Sequence, residues 1–266
     1  MGPKKENLRM LAYNTIKQEI VTLKLPPGSY LDRERLQERL GVGATPIREA
    51  LLQLEAENLV AFTTQKGFYV KDMNLQSIKD LIENRLYLER YVGFLAMQRI
   101  TEKEVEELEK IAIEMEALAE SDKEYELVVK DMEFHVRLVE ITRNSQLKKI
   151  MSFIYNECLR IWFISHYEKL KDSVEMHFET VEVLRKKDWK LLDMDVLRHN
   201  MVFRERVNNY FRKLLSNGNS GGGDFKVDFP IDSPSPLGTS PLFPGQIVSA
   251  KGDLPGVNHK RRKKGR

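Results

Sequence analysis

The sequence predicts a mostly α chain, with an N-terminal winged helix-turn-helix followed by an all-α antiparallel helical bundle. Three observations predict it. Of the 10 prolines none falls between Ile47 and Phe229, and Gly93 is the only glycine between Phe68 and Asn217, so helix breakers are nearly absent from 74–215. Capping signals then cut that stretch into helices. Upstream, a "GVG" corner and a β-prone hairpin follow in the order that a winged unit requires.

The elements follow in chain order. An amphipathic helix over about 8–23 ends at "LKLPPGSYL", where two prolines and Gly28 force a turn. Two shorter helices are expected near 33–40 and 45–57, separated by Gly41-Val42-Gly43. That linker is short enough to allow only a tight corner. Two short β-prone runs, Val60 to Thr64 and Phe68 to Lys71, flank Gln65-Lys66-Gly67 and read as a hairpin. "TEKE" (Thr101 to Glu104) and "SDKE" (Ser121 to Glu124) have the capping-box form, in which a side chain and a backbone donor satisfy each other reciprocally. With breaks at Asn144, at "KDS" (171–173) and at Asp188, helices are expected near 75–98, 102–120, 123–142, 146–169, 173–186 and 189–214. Expected domains are 8–72 and 74–215. Residues 216–266 open with "SNGNSGGG", hold 6 of the 10 prolines and end in "HKRRKKGR", which reads as a disordered linker and basic tail.

Composition narrows the function classes. The 41% hydrophobic content suffices for a core, and no run approaches the apolar length of a membrane span, so a cytoplasmic protein without membrane contact is expected. The single cysteine, Cys158, allows neither an internal disulfide nor a cysteine metal site and reads as a core residue. Net charge is +3, unevenly spread: residues 1–72 carry 11 basic and 9 acidic side chains, 73–215 carry 24 and 27, and 216–266 carry 8 and 4. A nucleic-acid contact at one end is compatible with that distribution.

In a helix-turn-helix the second helix lies in the major groove with its N-terminal side chains at base edges. Here it opens "ATPIREALLQLE". Thr45 is expected as N-cap close to a phosphate, with Pro46 at the first helical position. Ile47, Ala50, Leu51 and Leu54 are spaced to pack inward, which leaves Arg48 outward where a guanidinium can reach a guanine. Arg33 and Arg35 are candidates for phosphate or base contacts, and Lys66 and Gly67 at the hairpin tip for the minor groove. The stretch "LPPGSYLDRERLQERLGVGATPIREALLQLEAENLVAFTTQKGFYV" resembles the DNA-binding domain of GntR-family bacterial transcription regulators, most specifically in "TPIREAL". It departs from that family at Gly43-Ala44, where members usually carry an arginine.

The segment "DMEFH", Asp131 to His135, places a carboxylate and an imidazole one turn apart on the apolar face formed by Val128, Met132, Leu138 and Val139. Alone, the pair reads as a buried hydrogen-bonded couple. His177, on the stripe Val174, Val181 and Leu184, and His199, on the stripe Leu192, Val196 and Phe203, also face inward. Three of the chain's five histidines and one aspartate thus converge on one bundle core, the kind of place where facing helices build metal sites. Residues 75–214 also resemble the FCD effector domain found in one GntR subfamily. That resemblance implies Asp131, His135, His177 and His199 as ligands of a divalent transition metal, Zn or Ni, and His166 as a non-ligand. It further implies a small carboxylic-acid effector beside the metal, with Arg85 lining its cavity; the alternative for Arg85 is a surface ion pair with Glu89. The implied protein is a homodimeric regulator, in most such cases a repressor, binding double-stranded operator DNA. Two alternatives stand beside it: a metal-dependent hydrolase, and a regulator whose metal is purely structural. Against hydrolysis, the HExxH pattern is missing and Glu133 faces away from the ligands by helical phase.

Overall fold

The computed structural model describes residues 5–121, 123–165 and 170–217. The expected basic tail from 218 onward and His166 lie outside the described residues.

Helix α1 (Lys5–Val21) packs across α3 (Ala44–Ala56), and α2 (Arg33–Leu40) closes the corner between them. Asp32 caps α2 by accepting from the backbone N–H of Glu34 and of Arg35, and Gly41 ends it in the left-handed region at φ 64°, a conformation that a side chain would strain. Strands β1 (Val60–Thr63) and β2 (Gly67–Val70) pair antiparallel with Val60 opposite Val70 and Phe62 opposite Phe68. Ile16, Ile20, Leu36, Ile47, Leu51, Leu54 and Val70 form one closed core beneath this unit.

Six helices follow: α4 (Leu75–Arg99), α5 (Glu102–Glu120), α6 (Glu124–Ile141), α7 (Ser145–Ile164), α8 (Leu170–Lys186) and α9 (Trp189–Asn217). Contacts run α4 to α9, α9 to α8, α8 to α5, α5 to α6 and α6 back to α4, a closed ring, with α7 laid over α4 and α6. Gly93 permits the closest part of that ring. A Cβ there would stand 3.2 Å from Leu192 Cδ2 and 3.6 Å from Val196 Cγ2, so α4 and α9 approach backbone to side chain.

Three local expectations are corrected. Helix α3 begins one residue early at Ala44 with Gly43 as its N-cap, so Thr45 is in the first turn and caps nothing. Pro46 is tolerated there because N–H groups of the first turn have no helical partner in any case. Thr101 does make the expected capping box with Glu104, but Ser121 instead terminates α5, where its hydroxyl donates to the Ala117 carbonyl, and α6 starts at Glu124 behind an N-cap, Lys123, that makes no side-chain bond. Finally, "KDS" breaks nothing, since α8 already runs from Leu170.

Helix α7 also touches the winged unit. Arg160, fully buried, donates to the Lys71 carbonyl at 2.6 Å and pairs with Glu157 at 3.2 Å, while Asn156 donates to Glu57, the carboxylate that already holds Tyr13 and Lys17. In the winged unit itself, Leu54→Ala should cost about 2 to 5 kcal/mol of stability. Denaturant unfolding followed by circular dichroism measures this, and a loss under 1 kcal/mol would contradict the close packing assigned to that core.

Candidate metal centre and nucleic-acid interface

The metal centre is assembled from three helices, each for a local reason. On α6 the four-residue spacing of Asp131 and His135 puts both on the face turned to α4 and α8, and both are buried. His177 of α8 is fully buried, and His199 of α9 nearly so. Ring centroids lie 5.5 Å apart for His135 and His177, 5.1 Å for His177 and His199, and 5.9 Å for His135 and His199. Phe134 stands edge-on to His177 at 4.7 Å and closes the floor.

Hydrogen bonding fixes which nitrogens are free. His177 Nδ1 lies 2.8 Å from the Ser173 carbonyl and His199 Nδ1 lies 3.1 Å from the Asp195 carbonyl. A carbonyl only accepts, so Nδ1 carries a proton in each ring, and in the neutral form of either ring Nε2 keeps the lone pair. Those two Nε2 atoms are buried and have no hydrogen-bond partner among the described residues. His135 repeats the arrangement with a carboxylate, its Nδ1 standing 3.8 Å from Glu89 Oε1 and its Nε2 facing Asp131 at 3.9 Å.

The Asp131 carboxylate faces His177 Nε2 at 3.2 Å without hydrogen-bond geometry. Burial alone would raise the Asp131 pKa, but His177, His135 and Arg85 around it outweigh burial and hold the carboxyl well below the usual range, and Asp131 in turn raises the pKa of His177 against the burial of that ring. For His135 and His199 burial dominates and, reinforced for His199 by the two neighbouring imidazoles, keeps both rings in the neutral form. Neutral imidazoles with oriented second nitrogens, plus one ionised carboxylate, are the donor set that a borderline divalent cation takes. Asp131, His135 and His177 each offer an atom within 4.8 Å of the others, so these three form a possible metal site. His199 borders this group without meeting that distance.

Arg85 is not at the surface. It does pair with Glu89 at 2.9 Å, as the alternative reading had it, but both residues are buried, and the guanidinium stacks 4.3 Å over Phe203. Asn200 donates to the other Glu89 oxygen at 2.7 Å. Beside the histidines is a cavity of about 30 Å³ lined by Glu89, His135, Tyr155, Thr180, Asp195 and His199 among others. Arg85 stands behind Glu89 and off this wall, with its Nη1 unpartnered.

Glu89 and Asp195 were not singled out by sequence reasoning. A signal for Asp195 exists: "DVLRH", 195 to 199, repeats the spacing of "DMEFH". In this second copy the aspartate backs its histidine, with Oδ2 3.6 Å from His199 Nδ1, and burial pushes its carboxyl up to about 7. Glu133 is exposed and paired with Lys130, in keeping with its predicted outward phase.

On the winged unit, Arg33, Arg35, Thr45, Arg48 and Lys66 are all exposed, whereas Ile47, Ala50, Leu51 and Leu54 beneath them are fully buried. Gly67, at φ 70°, starts β2 directly against Tyr30, where a Cβ would come within 3.2 Å of its ring. Arg35 keeps only a loose contact of 3.8 Å with Asp32.

One prediction follows from the buried pair. Arg85→Met leaves the Glu89 carboxylate uncompensated and should cost about 3 to 5 kcal/mol, with much of it recovered in the double variant Arg85→Met, Glu89→Gln. Denaturant titrations of the single and double variants measure this, and equal stability of the single variant and wild type would refute the buried pairing.

Comparison with known proteins places this architecture. The family of bacterial regulatory proteins of gntR type matches residues 9–70, and the FCD domain matches residues 80–200. The Nta operon transcriptional regulator of Aminobacter aminovorans is 31% identical over 170 residues, 63% of this chain and 80% of that protein. The HTH-type transcriptional regulator LutR of Bacillus subtilis is 26% identical over 213 residues, 71% of this chain and 96% of that protein. Among solved structures, E. coli McbR/YncC shares the fold with a TM-score of 0.66 at 18% identity, over 78% of this chain and 98% of that one. These matches are to regulators and not to hydrolases. The chain belongs to the FCD subfamily of GntR-family DNA-binding transcription regulators.

Proposed function

We propose that this regulator is a homodimeric repressor whose operator binding is modulated by a small carboxylate bound at a divalent metal, Zn or Ni, in the helical bundle. Residues 8–72 form its DNA-binding domain and 74–215 its effector domain. The observation that carries the reading is the pair of buried, partnerless Nε2 lone pairs of His177 and His199 beside an ionised Asp131. A metal cation would satisfy all three groups at once, where a proton on His177 would satisfy Asp131 alone and leave the His199 nitrogen without a partner. Asp131, His135, His177 and His199 would hold that cation, and on a six-coordinate metal they leave two positions. The cation supplies a Lewis-acid point for carboxylate oxygens. Arg85 does not line the cavity and would act on an acid through Glu89, whose carboxylate it holds beside the histidines. The regulator's site of action is the cytoplasm, where operator DNA lies; no helix among the described residues is long and apolar enough to cross a membrane.

Helix α7 supplies the route from site to DNA. Tyr155 lies 5.7 Å from the His135 ring on one face, and Asn156 and Arg160 bond the winged unit on another. An effector that repacks α7 against α6 therefore moves the winged unit, and it regulates only so far as it binds the two arrangements with different affinity. In the recognition unit, Arg48 reads a base edge from the first turns of α3, Arg33, Arg35 and Thr45 contact the backbone or flanking bases, and Lys66 and Gly67 enter the minor groove. Exposed Ala44 makes no base contact where the family's arginine would, so the operator differs at that position.

Two outcomes test this. Arg48→Ala should weaken operator binding by about 1 to 3 kcal/mol and relax preference at one base pair; unchanged affinity and preference in a gel-shift series would remove that assignment. The double variant His135→Ala, His177→Ala should lose its metal by elemental analysis and its response to acid, while keeping operator affinity in the absence of effector. Full metal occupancy in that variant would refute the site.

A further inference from the structure

We propose that Tyr30 is a further DNA-contact residue, its hydroxyl donating to the backbone phosphate between the groove read by α3 and the groove entered by the wing. The proposal rests on the docking assigned to the winged unit above and on where this side chain stands within it. The segment before α2 is a third strand of the wing. The Leu31 N–H donates to the Phe68 carbonyl and the Val70 N–H to the Ser29 carbonyl, both at 2.9 Å, and Tyr30 pairs antiparallel with Tyr69. Sides alternate along a strand, so Leu31 enters the core at 2% exposure while Tyr30 points outward at 62%. Paired residues share a face of a sheet, and Gly67, two positions from Tyr69, lies on that face as well.

The ring is laid over the wing tip. From the position a Cβ would take on Gly67, Tyr30 Cε2 is 3.2 Å away and the hydroxyl oxygen 3.7 Å, so the polar end of the side chain reaches the start of β2. Two residues after Tyr30, Asp32 caps α2, whose Arg33 and Arg35 are exposed. In a docked helix-turn-helix the helix before the recognition helix crosses the DNA backbone, and here the wing enters the adjacent minor groove. One sugar-phosphate strand separates those two grooves, and a side chain standing between the start of α2 and the wing tip faces it. No described residue engages the Tyr30 hydroxyl, and a phenol O–H donates readily to a phosphate oxygen, a contact that sets register without reading sequence. Single exposed aromatic rings are ordinary on protein surfaces; this one offers an unspent donor between two DNA-contacting elements.

A duplex selected by the full chain from random-sequence DNA is the probe, titrated by fluorescence anisotropy over a series of salt concentrations. Tyr30→Phe keeps the ring over Gly67 and removes only the donor, and it should bind about three- to tenfold more weakly than wild type. The lost contact is uncharged and releases no counterion, so the slope of log affinity against log salt should stay at its wild-type value, whereas Lys66→Ala should reduce that slope by about 1. In a scan of single methylphosphonate substitutions the Tyr30→Phe penalty should vanish at one phosphate. Equal affinity of Tyr30→Phe and wild type, a slope reduced as in Lys66→Ala, or a penalty that persists at every phosphate would overturn the contact. If Lys66→Ala then still lowers the slope, the docking reading stands without Tyr30; if it leaves affinity and slope unchanged, that reading falls as well.

Discussion

A carboxylate taken out of water keeps its charge only where positive charge or hydrogen-bond donors surround it. Asp131 sets that requirement for the middle of the bundle. Its nearest neighbour, His177, has its other ring nitrogen committed to the Ser173 carbonyl, so Nε2 alone is left to face the carboxylate. His199 is fixed the same way by the Asp195 carbonyl. The helices are thus arranged so that their own backbones orient the imidazoles, and the free nitrogens converge on Asp131. A cation resolves this arrangement in a way that a closed hydrogen-bonded couple does not.

The same requirement recurs one layer out. Glu89 lies beside His135 and is kept ionised, against burial, by Arg85, His135 and Asn200. Arg85 in turn rests on Phe203 of α9. Charge at the centre is therefore balanced pair by pair through α4, α6, α8 and α9. Helix α7 carries the balance outward, since Arg160 on that helix is bonded to the backbone that leaves the hairpin at Lys71. Local electrostatics in the bundle and the placement of the winged unit share one helix.

Much of this was legible in the sequence, for specific reasons. Proline and glycine exclusion located the helical stretch, and the Gly41-Val42-Gly43 corner located the two short helices, because both signals act through the backbone and need no tertiary context. Helical phase placed Asp131, His135, His177 and His199 inward correctly. For Arg85 and Glu89 the sequence left the surface open: an i,i+4 ion pair looks the same on a wet surface and in a core, and packing decides that this one is buried. Asp195 was passed over because its spacing to His199 matters only once the ring's free nitrogen is known. The N-cap lies two residues before Thr45, since Gly43 adopts the extended N-cap conformation without offering a side-chain bond.

X-ray absorption at the metal edge of the purified, metal-loaded protein tests the central claim most directly. The account predicts a first shell of only nitrogen and oxygen, with nitrogens at about 2.0 to 2.1 Å if the metal is zinc and the outer-shell scattering of three imidazoles. A shell of waters and carboxylates with fewer than two imidazoles, or a protein that takes up no stoichiometric metal, would contradict it.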